Sequence, residues 1–504
     1  MEEQKESTRY PLGKTLKKML GQVNRTQKSV YFYNAVYTVA SVVFLCLGVV
    51  MPKLLIEQFY GGTIENVWII VGVFLGAGIV TGFLKVFMLH ASYAKLSHIR
   101  MNYFRDMLVK LMTMDYPNVE NSKFYEQNTF ALNACNSNNN GLEGIYHRLF
   151  EQPPQILTVL GLGIVVGLLN PAVLAAIVVS ILVSFFVSRT VHKYRYRMRE
   201  SINKAARKIN YYSETSHDFA YGKDVRLYNL SDRVLDNYGK EIISYRSVLK
   251  KLYNREYAWG FLELFFVLVS DAVTYFVLIY NVVKNGMTIA DFSMYLAMAV
   301  LLSTSIKKLV ADTAFIMNEG QYVYEFYKFV EPRKGEERLK AVEGGTLEIE
   351  FKNVDFVYPN TDKYIFKNFN FKINKGEKLA VVGINGAGKS TFVKLMTGLF
   401  PVAAGEILVN GKNIKDFDET EYLKMFSAVF QEVNIYPFTV AQNVACAEND
   451  VDEAKVWDCL ERVGLAEKVR SFDKGLGQPL LKVIDEDGTD LSGGEAQKLA
   501  IARA

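Results

Sequence analysis

Apolar residues fall in long blocks along the first 310 positions. Val30 to Met51, Val67 to Leu84, Trp259 to Val283 and roughly Ile289 to Ile306 are each an almost unbroken apolar run, close to the ~20 residues a helix needs to cross a bilayer. A longer run, Gln155 to Ser188, is interrupted only by Asn170 and Pro171. It reads either as one kinked helix or as two helices joined by a tight turn. Beyond residue 310 the blocks give way to short alternating stretches of a soluble α/β sequence.

The distribution of positive charge decides between the two readings of the long run. Residues 189–257 carry sixteen Lys and Arg and residues 91–154 carry six, whereas the loops around 53–66 and 284 carry one each. Loops rich in Lys and Arg stay on the cytoplasmic side, so the stretch between the two basic segments must cross twice. Asn-Pro is a turn dipeptide and suits the outer tip of such a hairpin. The count becomes six membrane helices, near 30–51, 67–84, 155–169, 172–188, 259–283 and 289–306, with both chain ends in the cytosol. The basic residues of the longer loop also fit an ordinary solvated face. "AARKINYYSETSHDFAYGKDVRLYNL" predicts two helical patterns broken at Gly-Lys-Asp, with a short transverse element at the loop's far end.

Residues 305–330 continue the last membrane helix, and "EPRKGEERLKAVEGG" is a charged linker. In "TLEIEFKNVDFVY", Leu347, Ile349 and Phe351 alternate with Glu348, Glu350 and Lys352, the period of a half-buried strand. Asn410-Gly411 in "GEILVNGKNI" is a hairpin turn signal. Between them stands "KLAVVGINGAGKSTFVKLMTGL", read as an apolar strand ending at Gly383, a glycine-rich loop and a helix. Gly383, Gly386 and Gly388, with Asn385 and Ala387 between them, let backbone amides turn inward. Lys389 adds a cation for phosphates, Ser390 a hydroxyl for magnesium, and Thr391 lies in the helix that presents its positive end. A chance glycine-rich turn is the alternative, and the flanking strand and helix patterns argue against it.

Composition narrows the rest. A net charge of +5 over 504 residues gives no case for nucleic-acid binding. Cys46, Cys135, Cys446 and Cys459 lack CxxC spacing, so neither a disulfide framework nor a zinc site is indicated. The first thirty residues are too polar for a secretory leader.

Six membrane helices followed by this phosphate loop and then by "LSGGE" resemble the half-transporters of the ABC exporter family. The resemblance implies a membrane α-helical bundle at 28–310 preceded by a cytosolic segment at 1–27, a helix extension and linker at 311–345, and an α/β P-loop NTPase domain at 346–504. It implies ATP and Mg2+ as ligands, and a second half-transporter, identical or different, as partner in the lipid bilayer. The setting would be a prokaryotic plasma membrane. Tyr358 matches the family's adenine-stacking aromatic, although a strand-end tyrosine filling the core edge fits it too. Gln431 matches the glutamine that links magnesium and γ-phosphate to the membrane domain. Leu491, Ser492, Gly493, Gly494 and Glu495 match the signature that meets ATP held by the opposite subunit, and Ser492 and Glu495 also have capping-box spacing.

A Walker B strand with its general-base Glu, and a switch His, are expected after the signature, and neither can be placed. All five histidines precede the soluble half. "LLKVIDED", with Asp485 and Glu486, reads as an acidic loop leading into the signature helix. The expectation is a longer protein whose NTPase domain is incomplete here. Beside an ATP-driven exporter, a regulatory ATP-binding subunit of a heterodimer and an inactive fragment stay open. Asp271, in the middle of the fifth span, marks either a substrate pathway or a helix-helix hydrogen bond. Glu263 and Lys85 sit near span ends, where an interfacial position suits them.

Overall fold

The structure is a computed structural model that describes residues 11–120, 122–331, 346–359 and 361–504. Residues 1–10 of the cytosolic segment expected at 1–27, and residues 332–345 of the extension and linker expected at 311–345, lie outside the described residues. The chain forms two compact units: Met1–Met114 with Ser122–Pro332, and Asp115–Asn121 with Arg333–Ala504.

The first unit is helical: α1 Leu12–Thr26, α2 Ser29–Gly61, α3 Ile64–Met112, α4 Ser122–Cys135, α5 Gly141–Leu169, α6 Pro171–His217, α7 Gly222–Leu227, α8 Ser231–Asn285 and α9 Ile289–Val330. Among the described residues, six helices, α2, α3, α5, α6, α8 and α9, are long and apolar enough to cross a membrane. Each extends beyond its apolar run in sequence, because the run sets only the part that lipid can cover while the amphipathic continuation packs on neighbours. The break in the long apolar stretch falls at Asn170. Its side chain accepts from the Ala172 amide at 2.8 Å and Pro171 takes the first helical position, where its missing N–H costs nothing. Gly222 opens the short α7 instead of breaking a helix.

Large apolar side chains face outward, with Trp68 70%, Phe261 72% and Leu168 84% exposed. Such a surface is expected only where lipid or a partner covers it. Polar groups turn inward. The Tyr103 hydroxyl of α3 lies 3.2 Å from that of Tyr146 on α5 and 2.7 Å from that of Tyr327 on α9. Tyr146 donates to the Met19 carbonyl of α1 at 2.8 Å. Buried Glu143 of α5 accepts from Ser97 and Arg100 of α3, and Arg148 and Glu151 of α5 pair with Asp312 at 3.5 Å and Lys308 at 2.6 Å on α9. Helices α6 and α8 pack chiefly on each other. There Ser184 donates to Glu263 at 2.9 Å, so Glu263 has a helix-helix partner and not merely an interfacial position. Lys85 lies over the Phe44 ring at 5.3 Å.

The second unit carries an antiparallel sheet of order β2-β1-β3-β4, built from β1 Ile349–Val357, β2 Tyr364–Ile373, β3 Ala404–Val409 and β4 Lys412–Asn413. Ile349 and Phe351 are buried as alternation requires, but the phase then slips, and Val354 and Phe356 are buried next. The cause is a bulge at Asn353, whose φ of 50° is left-handed. Gly405 faces it, and a Cβ there would stand 2.3 Å from the Asn353 carbonyl oxygen. Asn410 and Gly411, with φ of 48° and 80°, make the expected turn.

Helices α10 Lys389–Met396, α11 Glu419–Leu423, α12 Val440–Ala445, α13 Glu453–Arg462, α14 Ala466–Arg470 and α15 Gly493–Arg503 complete the unit. Phe351, Val354, Phe356, Phe392 and Phe400 share one core, and Val440, Leu460, Val469, Leu499 and Ala502 share another. The apolar run before Gly383 forms no strand ladder with any described residue, and Val382 is 89% exposed. An apolar run becomes a strand only when neighbours saturate its amides, and none among the described residues lies alongside.

Candidate functional site

The glycine-rich loop closes between β2 and α10. Gly386 and Gly388 have φ of 82° and 92°, a region that strains any residue with a Cβ. The Ala387 amide donates to the Ile384 carbonyl at 3.2 Å, which makes the turn. Lys389 begins α10 and folds back over the loop, donating from Nζ to the carbonyls of Gly383 at 2.7 Å and Ile384 at 2.9 Å. Asn385 and Ser390 are exposed beside it. Helix direction, open glycines, an ammonium group and a free-facing hydroxyl converge at one mouth, a donor set that fits a polyphosphate with its divalent cation.

Thr391 is buried behind the loop, and its hydroxyl lies 2.9 Å from that of Tyr358. The Tyr358 ring meets Phe356 and Phe400 edge-on at 5.0 and 5.3 Å, with Lys394 Nζ 5.7 Å from its centroid. Tyr358 therefore belongs to the core edge as well as standing near the loop. Tyr116, which sequence reading passed over, packs on the same Phe400 at 5.5 Å and under Lys394 at 5.6 Å. It lies in a single 3-10 turn, Tyr116–Glu120, after a helix of 49 residues. The Tyr116-Pro117 pair that opens this turn, a few residues past the end of the helix at Met112, was the available signal.

The signature residues open α15. Ser492 Oγ accepts from the Glu495 amide at 3.4 Å, and the Ser492 amide donates to Glu495 Oε2 at 2.8 Å, a reciprocal capping box. The Ser492 backbone bond, then the Ser492 side chain, hold the Glu495 carboxyl below the usual carboxylate range. Gly493 and Gly494 are exposed, and a Cβ on either would meet nothing within 4 Å. Leu491 is half-buried against the core that contains Leu499. Gln431 is exposed in the segment that leads from α11 to α12.

"LLKVIDED" is a loop, closed by Leu481 donating to the Thr489 carbonyl at 3.0 Å and Thr489 to that of Pro479 at 2.9 Å, with Asp485 and Glu486 exposed. In the first unit, Asp271 is half-buried between buried Ser270 and Thr274 on α8. The helix-helix bond considered for it is not formed among the described residues.

Residues 366–504 match the ABC transporter family. Over 293 residues the chain is 30% identical to the subtilin transport ATP-binding protein SpaT of Bacillus subtilis, a match that takes in 57% of this chain and 47% of that protein. Over 170 residues it is 35% identical to the ATP-dependent lipid A-core flippase of Escherichia coli K12, with 34% of this chain and 28% of the flippase covered. The chain thus spans less than half the length of these curated relatives that it matches. The structure of a bacterial Atm1-family ABC exporter with ATP bound superposes with a TM-score of 0.73 at 18% identity, covering 95% of this chain and 83% of the exporter, and so shares its fold. Six helices long and apolar enough to cross a membrane, followed by a domain that matches the ABC transporter family over residues 366–504, give this integral membrane protein the fold of an ABC exporter.

Proposed function

We propose that the protein drives export of a substrate across a prokaryotic plasma membrane at the expense of ATP, as one half of a dimer with both ends of the membrane bundle in the cytosol. The observation that carries this reading is that one compact unit holds two features, each of which would be half of a nucleotide site. One is the loop around Lys389, and the other is the capped amino terminus of α15. A second chain, identical or different, supplies the complementary half to each.

In this reading Gly383 to Thr391 wrap the phosphates, Lys389 exchanges its two carbonyl partners for phosphate oxygens, and Tyr358 offers the edge of the adenine site. Ser390 and Gln431 would hold magnesium, which neutralises developing charge on the phosphates. Gly493 and Gly494 present unhindered amides to nucleotide on the partner. Closure is favoured because nucleotide held by both surfaces binds the closed state better than the open one. An open apolar groove between α2 and α9, lined by Phe44, Val49, Phe292 and Val300, and the half-buried Asp271 are candidate stations for the cargo.

The test is ATP turnover by the full-length protein in lipid vesicles. Lys389→Ala is expected to lower it about 100-fold or more, the scale of removing a group that stabilises developing charge. Equal turnover by Lys389→Ala and the wild type would refute the assignment.

A further inference from the structure

We propose that Arg503 is a positioning residue of the nucleotide site, fastening the segment that follows Gln431 to the carboxyl end of the signature helix. This rests on the reading of the site given above and adds a residue to it. The guanidinium donates from Nε to the Asn443 carbonyl at 2.9 Å, from Nη2 to Asn443 Oδ1 at 3.1 Å and from Nη1 to the Asn434 carbonyl at 3.1 Å. Its Cζ lies 5.4 Å from the centre of the Tyr436 ring. These partners are neutral oxygens and an aromatic face, so the contact works by shape and by the fixed fork of donors, not by ion pairing.

Asn443, 1% exposed, is itself a template. Its Nδ2 donates to the carbonyls of Tyr436, Phe438 and Thr439 at 2.9, 3.3 and 3.2 Å, and its Oδ1 accepts from the Tyr436 amide at 3.1 Å. The loop from Asn434 to Thr439 is thereby wrapped around one side chain, and Arg503 closes the wrap from outside. Gln431 stands immediately before this loop. At the other end of the same helix stand Ser492 and Glu495, and the eleven residues of α15 span roughly 16 Å. Leu499 and Ala502 share a core with Val440 and Val444, which keeps the helix from sliding against α12. A displacement of the Gln431 segment is therefore delivered through Arg503 to the signature end of the helix.

The experiment uses the full-length protein in lipid vesicles, with Arg503→Lys made in the wild-type and Gln431→Ala backgrounds. Lysine keeps the charge and loses the fork. Arg503→Lys is expected to lower kcat about tenfold, with KM for ATP and affinity for a fluorescent ATP analogue within about threefold of wild type, and to add nothing in the Gln431→Ala background. The milder Tyr436→Leu removes only the ring beneath the guanidinium and is expected to lower kcat about two- to fivefold, again only when Gln431 is present. Loss that is additive with Gln431→Ala, or that follows a fall in melting temperature and nucleotide affinity together, overturns the proposal and leaves the nucleotide site standing. An unchanged kcat overturns it as well. A wild-type protein that does not hydrolyse ATP, or a Lys389→Ala variant as active as wild type, overturns the underlying reading and this proposal with it.

Discussion

Lys389 and Ser492 show how single side chains serve two purposes in this chain. The ammonium of Lys389 satisfies two loop carbonyls and, in the proposed function, exchanges them for phosphate. The hydroxyl of Ser492 caps α15 while leaving the glycines after it uncovered. Ser492→Ala is expected to cost about 1 kcal/mol of local stability, read as faster amide exchange in the first turn of α15. The same turn is expected to respond to acid. Glu495 has its pKa lowered in the folded state by Ser492, so its contribution is complete above the ordinary glutamate value of about 4.3 and is lost as pH falls through its own lower value. Exchange in that turn, corrected for intrinsic pH dependence, should rise in this acid window in the wild type. In Glu495→Gln it should stay flat.

At the scale of elements, the bulge between β1 and β3 is the clearest case of a contact that one strand imposes on another. Gly405 has φ of 78° and no room for a side chain beside Asn353. Gly405→Ala is therefore expected to destabilise the second unit by about 1–3 kcal/mol, seen as a lower thermal midpoint, whereas Gly411→Ala meets no neighbour within 4 Å and loses only the backbone term. The long helices were legible from sequence because an apolar run of that length has few other uses, and the tight glycine-rich turn because its residues are consecutive. The bulge was not, since alternation in β1 predicts an unbroken phase and the reason for its slip lies on β3. The strand expected before Gly383 was legible as a pattern and yet forms no ladder, because a strand is a property of its neighbours. The Arg503 clamp was invisible because its partner Asn443 lies 60 positions away and neither residue is unusual alone.

At the scale of the whole molecule, the proposed site, made from the loop of one chain and α15 of another, predicts proximity across a dimer. With the four native cysteines replaced, cysteines at Gly386 and Ser492 on separate copies should cross-link in the presence of ATP and a hydrolysis-blocking variant. Absence of any cross-link between the two copies under these conditions would remove a dimer of identical chains from the mechanism. The tyrosine hydroxyls at 103, 146 and 327, with the Arg148–Asp312 and Lys308–Glu151 pairs, bind α3, α5 and α9 at several levels. By contrast, α6 and α8 are joined chiefly to each other. In mechanical terms the first unit holds two braced struts, each packed more closely within itself than against the other. Load applied to either travels its length with little bending, and deformation collects along the seam where the α6–α8 pair leans on the rest.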